Sequence, residues 1–146
     1  ALEGARALSP KVGKMQAYID GASRGNPGRA GAGVVIYDET GATFLEESAY
    51  LGNATNNVAE YRALILALEL AEKAGMEELN VFSDSELIVK QVNGHYRVKE
   101  PTLIKLNSKV LKQVGKLKRF TIRHIPRNEN KIADRLANRA IDTASE

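Results

Sequence analysis

Short apolar runs bounded by turn-forming residues predict three strands early in the chain, over 16–20, 33–37 and 43–51. The run Gly21-Ala22-Ser23-Arg24-Gly25-Asn26-Pro27-Gly28 reads as a turn after the first strand, and Asp38-Glu39-Thr40-Gly41 as a turn between the other two. Three meandering antiparallel strands result. The pattern then changes period. Val58, Tyr61, Leu64, Ile65, Leu68 and Ala71 recur at helical spacing, so 57–74 is predicted as a helix. Asn56 or Asn57 is its expected cap, Glu60 falls in its first turn, and Gly75 stops it.

Beyond Gly75 the pattern shortens. A buried strand is expected over 79–82, and a short helix over 85–92 ended by Asn93-Gly94. Leu103, Leu106, Val110, Val114 and Leu117 share one face of a helix over 102–117. Residues 120–125 alternate like a strand, and 130–143 close the chain as a helix with Ala133, Leu136, Ala137, Ala140 and Ile141 on its apolar face. The order βββαβααβα describes an α/β fold, a mixed sheet flanked by helices. No internal repeat or low-complexity tract interrupts it.

Composition narrows the setting. A length of 146 residues suits one domain. Residues 1–14, with Gly4, Ser9, Pro10 and Gly13, read as a flexible leader or an added remnant, with Met15 as the natural start and a domain over 15–143. No run approaches the roughly 18 apolar residues of a membrane span, and the N-terminus lacks the apolar block of a signal peptide. Without cysteine there are neither disulfides nor thiolate metal sites, which fits a reducing cytoplasm. The net charge of +3 permits a nucleic-acid ligand without requiring one. Its distribution is uneven: acids gather over 69–78, lysine and arginine over 105–127.

Four carboxylates occupy informative places. Asp20 ends a predicted strand and Asp84 follows another, where acids are rare unless paired or bound to a cation. Glu60 precedes inward-looking Tyr61, and Asp134 shares a helical face with Ala137 and Ile141, which turns it inward. Clustered carboxylates repel one another, and divalent cations relieve the repulsion. All-oxygen ligation favours Mg²⁺ or Mn²⁺, and two such ions roughly 3.5–4 Å apart serve phosphodiester cleavage. Spacing alone leaves a second reading open, that of unrelated solvated acids.

Local sequence adds a resemblance. Asp20 to Gly28, Thr55-Asn56-Asn57-Val58-Ala59-Glu60, Ser83-Asp84-Ser85 and Asn128 to Ala137 resemble, in order, four motifs of type 1 ribonucleases H. The resemblance spans Met15 to about Ile141 and implies a ribonuclease H-like fold with a five-stranded mixed sheet. It also implies Asp20, Glu60, Asp84 and Asp134 as ligands of two Mg²⁺ ions, with Mn²⁺ as a substitute. Implied too are an RNA–DNA hybrid as partner, cleavage of its RNA strand to 5′-phosphate ends, and hybrid contacts from Asn26, Thr55, Asn56 and Asn57. Amide side chains suit that task, since they read minor-groove edges and 2′-hydroxyls. A monomer is expected.

Three departures qualify the resemblance. Where many relatives have Gln after the Asp-Ser pair, this chain has Glu86, so that contact is not carried over. The Lys/Arg/Trp-rich protrusion of some members is missing: His95 to Pro101 leads directly into the next helix. The auxiliary proton or product-release residue is His124 by spacing or Arg127 by its place on the following loop, and both readings stand. Lys105, Lys109, Lys112 and Lys116 recur on one helical face, either a basic ridge for phosphates or a solvated surface.

Overall fold

The computed structural model describes residues 13–144. The leader expected over 1–14 lies outside these residues up to position 12, and Lys14 already opens the first strand. Five strands form one sheet in the order β3-β2-β1-β4-β5. They are β1 (Lys14–Gly25), β2 (Gly28–Tyr37), β3 (Thr43–Ala54), β4 (Glu78–Ser83) and β5 (Arg119–His124). The first three pair antiparallel, whereas β4 joins β1 and β5 joins β4 in parallel. The helices are α1 (Asn56–Ala74), α2 (Glu86–Val92), α3 (Pro101–Val114) and α4 (Lys131–Ala144), with a 3-10 turn over Arg127–Glu129. The predicted element order and mixed sheet are both present.

Strand parity explains the core. Met15, Ala17 and Ile19 of β1, Leu79 and Val81 of β4, and Ile122 of β5 point to one face, under Tyr61, Leu64, Leu68 and Ala71 of α1. The opposite face of β2 takes α4. Gly31 and Gly33 allow this, since a methyl group at either would run into the backbone of Ala137 or Ala133.

Several boundaries differ from expectation for physical reasons. The segment read as a turn from Gly21 to Gly28 is mostly strand, and only Asn26-Pro27 forms the hairpin tip. Its small residues serve close approach rather than chain reversal: a side chain at Gly21 would collide with the backbone of Ala59 and Glu60 in α1. The cap of α1 is neither Asn56 nor Asn57 but Thr55, whose hydroxyl accepts from the Val58 N–H at 3.2 Å. Glu60 therefore begins the second turn of that helix. Gly75 ends α1 in the left-handed conformation as expected. Glu100 caps α3, accepting from the Thr102 and Leu103 amides, and Pro101 opens it. Among the described residues no helix is long and apolar enough to cross a membrane.

Candidate active site

The site forms where the parallel pairing of β1 with β4 stops; β4 ends there, whereas β1 does not end at Asp20 as expected but runs on to Gly25, paired with β2 alone. Ile19 pairs with Ser83, so Asp20 in β1 and Asp84 just after β4 emerge side by side on the same face. Helix α1 delivers the third acid. Its start presses on β1 at Gly21, and the Gly21 N–H donates to Glu60 Oε1 at 2.8 Å. Asp20, Glu60 and Asp84 each offer an oxygen within 4.8 Å of the others. Asp20 is buried and the other two are half-buried.

Asp134 departs from the inward placement expected of it. Ala137 and Ile141 are buried, whereas Asp134 on the same face is exposed. The inward-facing position in that turn meets the open cleft instead of the core. The residue is not turned away. It lines a cleft of about 350 Å³ with Asp20, Glu60 and Arg127, close enough to Asp20 to help raise that carboxyl's proton affinity. Asn138 holds it from behind, its amide donating to Asp134 Oδ1 at 3.2 Å.

Electrostatics follow from this crowding. Burial, then the charges of Glu60 and Asp84, push the Asp20 carboxyl up to about 9. Burial also pushes Glu60 up to about 8, against the Gly21 N–H and the Arg127 guanidinium, which favour its charged form. Two carboxyls that hold protons near neutrality for want of counter-charge fit a divalent cation, and an all-oxygen donor set suits a hard one. The three-oxygen cluster meets that test.

The residues expected at a nucleic-acid strand gather beside the cleft. Asn26 Oδ1 accepts from the Asn56 N–H at 3.0 Å, tying the hairpin tip to the start of α1. Ser23 donates to the Ala54 carbonyl at 2.8 Å, a second tie. Asn56 lines the cleft and Asn57 is exposed next to it, while the Thr55 hydroxyl oxygen is engaged as the cap.

The auxiliary candidates separate. Arg127 borders the cleft within electrostatic reach of Glu60, whereas His124 ends β5 as an exposed strand residue opposite Ser83. Glu86 pairs with Lys90 at 3.3 Å on the surface of α2. Two members of the lysine ridge are engaged by α1, Lys109 with Glu69 at 3.9 Å and Lys116 with Glu72 at 3.0 Å. One buried group had no role assigned from sequence. Asn130, 2% exposed, donates to Asp84 Oδ2 at 3.0 Å. Its only signal was its position within the last motif, four residues before Asp134.

Known proteins match this arrangement over most of the chain. The profile of the family described as reverse transcriptase-like matches residues 18–140. A bifunctional protein of Mycobacterium tuberculosis is 46% identical over 134 residues, covering 91% of this chain but 37% of that protein. The ribonuclease HI of Halobacterium salinarum is 41% identical over 132 residues, covering 90% of this chain and 66% of its own length. The chain thus spans only part of these relatives. The solved ribonuclease H1 of Halobacterium salinarum superposes with a TM-score of 0.88 at 40% identity, covering 90% of this chain and 99% of that one. LC11-RNase H1, solved in complex with an RNA/DNA hybrid, gives 0.86 at 49% identity, covering 91% and 100%. With sequence and fold agreeing along nearly its whole described length, this chain belongs to the type 1 ribonuclease H family.

Proposed function

We propose that the chain is an endoribonuclease that hydrolyses the RNA strand of RNA–DNA hybrids, leaving 5′-phosphate and 3′-hydroxyl ends. The observation that carries this reading is the cluster of three carboxylate oxygens within 4.8 Å of one another, contributed by Asp20, Glu60 and Asp84. Their raised proton affinity is that of a site built for a cation. Asp20, Glu60 and Asp84, with Asp134 at the rim, would hold two Mg²⁺ ions, for which Mn²⁺ substitutes. When bound, such ions activate a water and stabilise the leaving oxygen of the phosphodiester.

The chain's own residues bind and orient. Asn26, Asn56 and Asn57 would meet the minor groove of a hybrid beside the cleft, where 2′-hydroxyls distinguish RNA from DNA. Arg127 faces the cleft as a permanent cation and would steady the phosphate during cleavage and product departure. This placement favours Arg127 over His124 as the auxiliary residue. A relative solved with a hybrid and another named ribonuclease HI support the substrate class. A monomer working in the cytoplasm completes the reading.

The test is cleavage of a labelled hybrid with Mg²⁺, Mn²⁺ or chelator, beside duplex RNA and duplex DNA of the same sequence. Cutting of the RNA strand in the hybrid alone, abolished by chelator, is expected. Metal-independent cleavage, or equal cutting of all three duplexes, would reject the reading.

A further inference from the structure

Asn130 sits immediately before α4 and is 2% exposed. Its side-chain amide donates twice, to the Ile19 carbonyl at 2.8 Å and to Asp84 Oδ2 at 3.0 Å. Its own backbone carbonyl accepts from the Asp134 N–H at 3.1 Å. Ile19 is the residue before Asp20. One buried side chain and its peptide therefore touch the stretch of β1 that carries Asp20, the carboxylate of Asp84, and the helical turn that carries Asp134.

The bonding also defines which way the amide lies. Both side-chain partners are acceptors only, so the NH₂ group must face them and the oxygen must face away. That oxygen, Oδ1, is buried and has no hydrogen-bond partner among the described residues. A buried acceptor left unsatisfied is a cost to folding. An apolar side chain of similar volume would fill the space without it. Packing does not explain the asparagine, whereas its donor group does.

We propose that Asn130 is a positioning residue for the cation site, holding Asp84 in the rotamer that brings its oxygen to those of Asp20 and Glu60. The choice of group follows from the chemistry. A lysine or arginine would neutralise Asp84 and compete with the cation for it. A serine would be too short to span Ile19 and Asp84 together. A neutral amide donor anchors one carboxylate oxygen, leaves the full negative charge in place, and frees the other oxygen for an ion. The bond to Ile19 sets the amide against the sheet, so the alignment of Asp84 is referred to the strand that carries Asp20. Outer-shell donors of this kind orient metal-binding side chains and influence metal affinity.

The inference rests on the proposed cation site but not on the choice of substrate, and the experiment keeps the two apart. Mn²⁺ binding to the free protein is measured by calorimetry for the wild type, Asn130→Ala, Asn130→Ser and Asn130→Asp. Hybrid affinity in chelator, hybrid turnover and the thermal transition are measured alongside. Asn130→Ala is expected to bind Mn²⁺ about 10–100-fold more weakly and to lose turnover by a similar factor through kcat. Its hybrid affinity in chelator stays within about twofold, because Asn130 does not reach the cleft rim. Asn130→Ser, with a hydroxyl donor, recovers part of the Mn²⁺ affinity. Asn130→Asp, which turns an acceptor toward two acceptors, recovers none.

Mn²⁺ affinity of Asn130→Ala within twofold of wild type would overturn the proposal. So would failure of all three variants to fold, since the residue would then hold the fold and not the site. A wild type that binds Mn²⁺ yet leaves hybrids intact would sink the nuclease reading alone, and the Mn²⁺ affinities would still decide the role of Asn130.

Discussion

Helices α1 and α4 each bring one acid to the cleft, and they do so in opposite ways. Glu60 comes from a helix pressed onto the sheet backbone at Gly21, is half-buried, and is fixed by a main-chain N–H. Asp134 comes from the first turn of α4, is exposed, and is tied to another side chain, Asn138. The first is bound to the scaffold; the second is held by a side chain at the rim. Such a contrast would suit the proposed cation site, with an inner trio at fixed spacing and an outer acid open to solvent.

The sharpest test of this contrast compares the trio with the rim. Asp20→Asn should lower hybrid turnover at least about a thousandfold while leaving hybrid binding in chelator intact, as expected when an inner cation ligand is lost. Near-normal turnover would break the assignment of the trio. Asp134→Asn should cost less, about 10–100-fold, because an amide at the rim can still accept a hydrogen bond or a cation contact. Equal losses in both variants would erase the distinction between inner and outer acids.

Gly21→Ala probes the scaffold itself. The added methyl must push α1 away from β1, so the variant should lose about 1–3 kcal/mol of stability in denaturant titration. Turnover should fall with it as Glu60 shifts. Unchanged stability would mean that α1 is not held where the close approach places it. The last test concerns pH. Asp20 and Glu60 hold protons in the fold up to about 9 and about 8, whereas the unfolded chain releases them near 3.8 and 4.5. Between those values the folded state binds more protons, so stability without metal must fall as pH rises. A drop in Tm from pH 5 to pH 9, removed by Mg²⁺, is expected. A metal-free Tm that rises over that range would contradict the crowding.

Much of this molecule was readable from its residues. Periodicity carried the element order, because α1 and the later helices keep an unbroken apolar stripe and the strands end at clear breakers. Asp84 was legible because it directly follows an apolar strand, and Asp20 because it breaks the apolar pattern, although β1 runs on past it to Gly25. The hairpin was less so. Gly21, Ala22 and Ser23 resemble turn residues in sequence, and only the helix packed against them shows that smallness serves contact. The exposure of Asp134 was hidden because helical phase gives a direction but not what lies in that direction. Thr55 was overlooked as the cap because two asparagines, at least as good as caps, directly follow it. The lysine ridge could not be weighed from α3 alone, since Glu69 and Glu72 lie on a helix distant in sequence.

The tie between Asn26 and Asn56 gives the hairpin tip a further meaning. It welds the tip to the same helix that carries Glu60, and so makes a ruler. A polynucleotide resting against that tip would meet the acids at an offset set by the short side-chain bond that joins the tip to the helix. Register of cutting would then be inherited from that joint and shared by every sequence that binds.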